Sequence, residues 1–383
     1  MSEKYASKSE FVQSLGNDII DFIKKGAEQS NDENEKKFNE LSMRLFEYQY
    51  NANQIYHKYC EKKGVKPGMI KAWTDVPAVP AVAFKEVELR TISDEETVQV
   101  LTSSGTSNPE KRAKISLNET QVKIRELNGE YLKDRGYYKS RDEKIHALLL
   151  APDPELMPSA AAGMSQIKIL VEGHSIGKPE FFINPKGFDF AGLAERLKLA
   201  EKTGEPVFIA GATFAYVHFF DFCQAQNISF KLPAGSRAMD GGGNKGKGRE
   251  LSKEEYRKLA GKTLGIPESH MINHYGLIEM EASYVDNVFY NHVRGISEPR
   301  AKMIPHFARV VVVDPDTLKP LPKGERGLLR QHSVANMTSV QAVLTDDMGF
   351  ETGSGFEIVG RAAGSETRGC SIAYDELISA QRA

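Results

Sequence analysis

Apolar residues recur at helical spacing over the first seventy residues. Phe11, Leu15 and Ile19 lie four positions apart, as they would on one face of an amphipathic helix. A second series with helical spacing runs from Phe38 to Tyr56, and the acidic stretch NDENE between the two series predicts a solvated break. The pattern therefore predicts a helical block over residues 8–71.

Two prolines end this pattern in the stretch DVPAVPAVAF. Proline lacks a backbone donor and does not continue a helix, so the stretch predicts an extended connector. It leads to Phe84 and Lys85 and then to a new pattern, which places a domain boundary near residue 90. We expect residues 1–90 to form a helical segment packed on the main domain.

Beyond the boundary, short apolar runs alternate with amphipathic stretches. The runs IHALLL and VFIA are continuous and apolar, as is typical of buried strands. Strand and helix in alternation predict a mixed or parallel sheet covered by helices. The predicted helices lie at 117–132, 160–171, 190–202, 214–226 and 252–264, and the predicted strands at 145–150, 207–210, 228–232, 308–314, 338–344 and 356–359.

One loop candidate has the chemistry of an anion cradle. Residues 103–107 are all hydroxyl residues or glycine, and three cations follow at Lys111, Arg112 and Lys114. Small residues let several backbone donors converge on a phosphate chain, and cations reach its outer oxygens. Alternating residues on both sides predict that the loop links two strands. On these residues alone, an ordinary solvated hairpin is the competing interpretation.

A second glycine-rich stretch reads GGGNKGKGR. Residues 241–247 fit the first seven positions of a Walker loop, but the eighth is Gly248, which has no hydroxyl for Mg²⁺. The Walker interpretation therefore fails. Three successive glycines still let a backbone pass close to a flat ring or a phosphate, and a surface loop is the alternative.

Three further short motifs carry candidate chemistry. In HYGLIE, Tyr275 and Glu279 put an aromatic ring and a carboxylate at one place, and the carboxylate could hold Mg²⁺; a helix start is the alternative. In VLTDDMG, Asp346 and Asp347 are placed to accept from ribose hydroxyls, although such pairs also form turns. Arg361 leaves a predicted strand beside a small-residue loop, a plausible clamp on a nucleotide.

Cys370 is a candidate nucleophile. It lies between a glycine and a serine, with Arg368 two residues away. A neighbouring cation favours the thiolate, and small neighbours leave access to it. An idle thiol near the C-terminus is the alternative, whereas Cys223 lies in an aromatic helical stretch and is expected in the core.

Composition narrows the class of protein. The 383 residues are 40% hydrophobic and 27% charged, as in a globular protein. Fifty basic and 52 acidic residues leave a net charge of -2, so no basic field exists to attract nucleic acid. No apolar run is long enough to span a bilayer. Three cysteines, an odd number, favour a reducing cytoplasm.

The order of these motifs is more specific than any one of them. A TSSGTS loop, a Gly-rich segment, YGLIE, TDD and GR follow one another, which resembles the adenylate-forming superfamily of acyl- and aryl-acid ligases. The likeness is greatest to the LuxE-type acyl-protein synthetases, which supply fatty acyl groups to an acyl reductase. FKEVELRT before the loop, ALLLAPDPELMPSAAAGMS after it and GSETRGCS near the end carry this closer likeness.

The resemblance implies an α/β fold with a large adenylate-forming N-terminal domain and no full C-terminal domain. The core would cover residues 91–345, and residues 346–383 would form a short hinge and a mobile tail with Cys370.

The resemblance also implies ATP and Mg²⁺ as cofactors and assigns roles to residues. Glu279 would hold Mg²⁺ in the reaction, and Cys370 would take the acyl group as a thioester. ATP would be bound by Ser103, Ser104, Gly105 and Thr106 at the phosphates, by Gly241, Gly242 and Gly243 along the adenine, by Tyr275 and Gly276 against the nucleotide, and by Asp347 and Arg361 at the ribose. Whether Asp346 or Asp347 is the ribose ligand stays open.

The implied function is ATP-dependent activation of a carboxylic acid, a fatty acid in the related family, as acyl-AMP. The acyl group would then move to Cys370 for delivery to an acyl-CoA-reductase-like (LuxC-type) partner, with which the chain could form a hetero-oligomer. An apolar acid pocket is expected around residues 209–214 and the aromatic helix behind them. Two alternatives are an acyl- or aryl-CoA ligase without its C-terminal domain, and a non-catalytic nucleotide- or acyl-binding subunit of a reductase complex.

Overall fold

The computed structural model describes residues 8–26, 29–103, 112–157, 165–243, 248–362 and 368–382. The α-helices of these ranges are α1 (Lys8–Lys25), α2 (Asn31–Ala52), α3 (Gln54–Lys62), α4 (Glu119–Leu132), α5 (Ser165–Val171), α6 (Phe190–Thr203), α7 (Thr213–Ala225), α8 (Lys253–Leu264), α9 (Val288–Arg294) and α10 (Arg368–Arg382). The strands are β1 (Val79–Pro80), β2 (Gln99–Thr102), β3 (Lys114–Leu117), β4 (His146–Pro152), β5 (Glu180–Asn184), β6 (Gly187–Phe188), β7 (Val207–Ala212), β8 (Arg237–Gly241), β9 (Met271–Leu277), β10 (Met280–Val285), β11 (Ala308–Val313), β12 (Gly327–Ser333), β13 (Ala342–Glu351) and β14 (Phe356–Arg361).

The N-terminal helical block is confirmed, with one correction. The stretch NDENE does not break the helices, because it forms the start of α2. The Ser30 side chain accepts from the backbone N–H of Glu33, and the Glu33 side chain accepts from the backbone of Ser30. This capping box satisfies N–H groups that the first helical turn leaves without partners, so an acidic stretch here begins a helix.

The chain divides into two compact units. Unit 1 comprises Met1–Asn128, Gly276–Ser283 and Met303–Ala383, and unit 2 comprises Gly129–Tyr275 and Tyr284–Lys302. The expected division at residues 90 and 345 stays a prediction.

A five-stranded sheet belongs to unit 1. Its order is β1-β13-β12-β11, with β14 paired to β13. The connector with two prolines contributes the short strand β1, in which Val79 pairs with Val343 in parallel. Proline is tolerated in this place because β1 lies at the edge of the sheet, where the ladder does not need its missing N–H.

A seven-stranded sheet contains the buried runs IHALLL and VFIA. Its order is β10-β9-β8-β7-β4-β5-β6, and β5, β4, β7, β8 and β9 are parallel neighbours. Helices α6, α7 and α8 share one apolar core with these strands. The prediction of an α/β fold with a helix-covered, mostly parallel sheet is confirmed.

The strand predicted at 228–232 is wrong. In this segment the N–H of Phe230 donates to the carbonyl of Thr263 (2.7 Å), and the N–H of Leu232 donates to that of Leu264 (3.2 Å). These bonds satisfy carbonyls at the end of α8, which have no partners inside the helix. The segment therefore closes a helix end and forms no ladder.

Residues 368–382 form the helix α10, and the expectation of a short hinge and a mobile tail over residues 346–383 stays a prediction. Ala373, Leu377 and Ala380 of α10 are buried, at the spacing of one helical face. The side chains of Lys63, the residue that caps the C-terminus of α3, and Glu376 on α10 form an ion pair. None of the helices in the described ranges is long and apolar enough to cross a membrane.

Candidate active site

The triglycine lies at the carboxyl end of strand β8. Gly241 pairs with His274 on the parallel strand β9, and a Cβ atom at Gly241 would lie 2.9 Å from the His274 carbonyl oxygen. Gly242 (φ 74°) and Gly243 (φ 63°) are left-handed, a conformation that side chains disfavour. The close approach at Gly241 and the turn at Gly242 and Gly243 both require glycine. A surface loop of arbitrary sequence would not have this requirement.

Tyr275 follows directly on β9. Its ring stacks on that of the buried Tyr284, with centroids 6.0 Å apart. In the preceding residue, His274, the ring atom Nδ1 lies 2.6 Å from the hydroxyl oxygen of Tyr137. Parallel strands of an open sheet bind ligands at their carboxyl ends, and unit 2 places Gly241–Gly243 and Tyr275 together there.

The motif YGLIE forms a strand, a turn and a second strand, and no helix begins in it. Glu279 lies in the turn and is buried, with 9% of its surface exposed. Nδ2 of Asn336 donates to the carbonyl of Glu279 (2.8 Å), and Oδ1 of Asn336 accepts from the N–H of Glu281 (2.5 Å). One buried amide therefore holds the backbone on both sides of Met280 and fixes the place of Glu279.

Glu279 suits Mg²⁺ as a single carboxylate. Within the described ranges no three His, Cys, Asp or Glu side chains are grouped to hold a metal. Mg²⁺ commonly takes one or two protein carboxylates together with substrate phosphates and water. A lone carboxylate at Glu279 fits this pattern, and its role as a Mg²⁺ ligand stays a prediction.

Asp347 and Arg361 face each other across strands β13 and β14. They are Cα partners in the antiparallel ladder, and Nε of Arg361 lies 3.4 Å from Oδ1 of Asp347. The Arg361 side chain is 76% exposed, so the pair contributes little stability. Successive strand residues point to opposite faces, which separates Asp346 from this pair. The role of Asp347 as ribose ligand stays a prediction, and the choice between Asp346 and Asp347 stays open.

Strands flank the candidate anion loop on both sides, as predicted. Strands β2 and β3 are antiparallel, and Ser103 and Ala113 close the base of the loop. The Ser103 N–H donates to the Ala113 carbonyl (3.0 Å), and the Ala113 N–H donates to Oγ of Ser103 (3.1 Å). Ser104, Gly105 and Thr106 lie outside the described residues.

Cys370 lies in the first turn of α10, and its side chain is outside the described part of the structure. The other two cysteines, Cys60 and Cys223, are buried. Burial raises the pKa of each of these two thiols to about 12, which keeps them protonated and poorly nucleophilic. The prediction that Cys223 belongs to the core is confirmed.

Residues 209–214, where the acid pocket is expected, span the junction of β7 and α7, and the pocket itself stays a prediction. Ile209 is buried, and Phe214 in the first turn of α7 lies 6.3 Å from Phe188, centroid to centroid. Phe188 stacks on Phe190 at 4.8 Å. The surroundings of Phe214 are therefore aromatic and apolar.

A polar network beside the triglycine escaped sequence reasoning. Oδ2 of Asp240 accepts from Oγ1 of Thr213 (2.7 Å) and from Nδ2 of Asn273 (3.0 Å). Burial raises the pKa of Asp240, while the bond from Thr213, the charge of Lys302 and the bond from Asn273 lower it. The only local signal was the position of Asp240 directly before the glycines and of Asn273 two residues before Tyr275.

The fold resembles that of solved ligases. In an open conformation with 2-HIB-AMP and CoA, 2-hydroxyisobutyryl-CoA ligase matches with a TM-score of 0.61 and 12% identity, over 85% of this chain and 69% of that chain. In its postadenylation state with 2-HIB-AMP the TM-score is 0.62, with 12% identity over 85% and 67% of the two chains. The fold is thus that of the adenylate-forming ligases.

A family model described as acyl-protein synthetase, LuxE, matches residues 1–379. The chain belongs to this family and, as a member, is a ligase. It is similar to the long-chain-fatty-acid–luciferin-component ligases of Vibrio harveyi (24% identity over 95% of this chain and 94% of that protein) and Aliivibrio fischeri (22%, over 97% and 96%). The resemblance inferred from the motifs is confirmed.

Proposed function

We propose that this chain activates a long-chain fatty acid with ATP and transfers the acyl group to Cys370. The observation that carries the proposal is the triglycine, left-handed at Gly242 and Gly243, which lies beside Tyr275 at the carboxyl ends of β8 and β9. Such a backbone lets a flat base approach closely, and the neighbouring aromatic ring can pack on the nucleotide. The family match supports the same chemistry.

In the first half-reaction, a carboxylate oxygen of the acid attacks the α-phosphorus of ATP. The new O–P bond gives acyl-AMP, and the bond to the β-phosphate oxygen breaks to release pyrophosphate. The chain's residues act in this step by positioning and by neutralising charge. Ser103 to Thr106, Asp347 and Arg361 keep the nucleotide-binding roles that the motifs imply.

Mg²⁺ would neutralise charge on the phosphates, and Glu279 would hold it. The backbone bonds from Asn336 keep this glutamate in place without help from the metal. Such preorganisation avoids a reordering of the site during the reaction.

The acid is proposed to be a long-chain fatty acid. The aromatic surroundings of Phe214 suit an alkyl chain, and both curated relatives are named for long-chain fatty acids. Apolar lining favours longer chains because each buried methylene contributes about 0.8 kcal/mol.

In the second half-reaction, the Cys370 thiolate attacks the acyl carbonyl, a thioester forms, and AMP leaves. The first turn of a helix favours a thiolate through its free N–H groups. An acyl-CoA-reductase-like partner would then take the acyl group. The odd cysteine count supports a cytoplasmic setting for a free thiol.

The test is incubation with ATP, Mg²⁺ and fatty acids of several lengths, followed by intact-protein mass and hydroxylamine treatment. We expect an acyl adduct that hydroxylamine removes, and we expect Cys370→Ser to lose the adduct while it still makes acyl-AMP. Cys223→Ser is the matched control and should keep the adduct. Acyl-AMP without an adduct, and with release of AMP by added CoA, would instead show a CoA ligase. Binding of ATP without either product would show a non-catalytic subunit.

A further inference from the structure

Asp240 joins three elements of unit 2 through one carboxylate oxygen. The residue is the last but one of β8, directly before the triglycine, and is 8% exposed. Its Oδ2 accepts from the hydroxyl of Thr213, the first residue of α7, and from the side-chain amide of Asn273 on β9. Thr213 lies next to Phe214 of the expected acid pocket, and Asn273 lies two residues before Tyr275.

Asn273 is itself held from the other side. Its backbone carbonyl and Oδ1 accept from Nζ of Lys302 (2.8 and 2.7 Å), and its N–H donates to Oδ2 of Asp286 (3.0 Å). Lys302 also pairs with Asp286 at 2.5 Å, and both side chains are 1% exposed. Because Oδ1 of Asn273 is fixed by a buried cation, its Nδ2 has to point to Asp240.

The carboxylate therefore receives one donor from the acid side of the site and one from the nucleotide side. We propose that Asp240 is a positioning residue that sets the distance between the bound acid and the bound nucleotide. The inference rests on the proposed function, since the two sides are those of its first half-reaction. Asp240 acts through Thr213 and Asn273, as an acceptor of hydrogen bonds.

This role predicts which property of Asp240 matters. Asn keeps one oxygen of the same reach and can accept both donors. Leu removes this shared acceptor and leaves only two longer bonds to backbone carbonyls, from the Thr213 hydroxyl to Gly241 (3.2 Å) and from the Asn273 amide to Asp240 itself (3.3 Å). A misplacement of about 1 Å between reacting groups can lower a rate about 100-fold while each substrate still binds. Asp240→Leu should therefore lower kcat about 100-fold, and Asp240→Asn should stay within about threefold of wild type.

The experiment measures acyl-AMP formation with a fatty acid and ATP, together with AMP and fatty-acid binding by calorimetry. For Asp240→Leu we expect the loss in kcat, with KM values and both binding constants within about threefold. Thr213→Val, which lacks the hydroxyl, should lower kcat about tenfold. Thr213→Ser, which keeps the hydroxyl, should have the kcat of the wild type.

A matched control removes an equally buried bond elsewhere on β8. Arg237 lies at the opposite end of this strand and pairs with Glu143 at 2.8 Å. Glu143→Gln should lower thermal stability, with kcat unchanged at temperatures where the protein is folded. If it lowers kcat as much as Asp240→Leu does, the effect is one of stability and the inference is overturned.

Three other results would also overturn it: wild-type kcat in Asp240→Leu, loss of AMP binding in proportion to the loss of rate, or no recovery in Thr213→Ser. If the wild-type protein makes no acyl-AMP from any acid, the proposed function is contradicted, and this inference is contradicted with it. An active wild type with an unaffected Asp240→Leu fails the inference alone.

Discussion

The hydroxyl of Tyr137 lies 2.6 Å from Nδ1 of His274. Tyr137 is fully buried and ends a turn of π-helix, Lys133–Tyr137, that follows α4. His274 pairs with Gly241 and precedes Tyr275. The contact thus links an interior side chain to the strand end that carries the candidate nucleotide site.

Loss of this contact should weaken nucleotide binding. Tyr137→Phe removes the buried hydrogen bond to the His274 ring, worth about 1 kcal/mol. We expect the KM for ATP to rise about fivefold, because a loss of about 1 kcal/mol in binding free energy corresponds to about that factor. Tyr138→Phe is the matched control, because its hydroxyl donates to the Leu170 carbonyl (3.0 Å). Equal KM values for the two variants would contradict the prediction.

A single methyl group added at Gly243, one of the two left-handed residues of the triglycine, should weaken ATP binding. Ala at Gly243 (φ 63°) is strained by about 1–2 kcal/mol, and the loop would relax away from its present path. We expect Gly243→Ala to weaken ATP binding about tenfold, as measured by calorimetry, because about 1–2 kcal/mol of strain corresponds to a loss in affinity of about that size. Gly295 has nearly the same φ (65°) and, like Gly243, open space around its Cα, so Gly295→Ala should lose similar stability and bind ATP normally.

Removal of Glu143 should destabilise unit 2 strongly. Arg237 is 0% exposed, its guanidinium lies over the Phe289 ring at 4.6 Å, and it pairs with Glu143 at 2.8 Å. Glu143→Ala leaves a buried cation without its partner, which typically costs about 3–5 kcal/mol. Urea denaturation measures this loss. Glu126→Ala breaks the exposed pair with Lys123 and should change the free energy of unfolding by under about 0.5 kcal/mol.

Acid should destabilise the fold through His270. Burial, first, and then the charges of His292, Arg237 and Lys139 lower the pKa of His270 to about 4. In the unfolded chain the pKa of His270 is about 6.5. Between pH 6.5 and 4 the unfolded chain therefore binds a proton at His270 and the folded chain does not. Stability is therefore complete above pH 6.5 and falls between pH 6.5 and 4, by up to about 1.4 kcal/mol per pH unit. His270→Gln should flatten the curve of unfolding free energy against pH in this window.

His332 should act in the same direction. It is fully buried on β12 beside Trp73, at 5.0 Å between ring centroids, and burial holds its pKa well below the usual range. Neither ring nitrogen has a hydrogen-bond partner among the described residues. His332→Leu should therefore raise stability most at pH 5, as followed by urea denaturation at pH 5, 6 and 7. An unchanged pH slope would show that the pKa of this ring is the same in the folded and unfolded chain, and would contradict the prediction.

Much of the fold could be predicted because its signals are local. The helical block and the apolar runs of β4 and β7 depend on residues within a few positions of one another. The strands β9 and β10 were not predicted. Their sequence mixes polar and aromatic residues, and neighbouring strands far along the chain decide their pairing.

The candidate site divides in the same way. The sequence by itself determined the triglycine, the aromatic and acidic motif and the order of motifs that defines the family, since glycine and short motifs act through their own backbone. Only the tertiary structure decided that Asp347 faces Arg361, that Tyr137 holds His274, and that Asp240 meets Thr213 and Asn273, which are 27 and 33 residues away. The physical reason is that these side-chain contacts depend on strand register and helix packing, which residues throughout each unit set together.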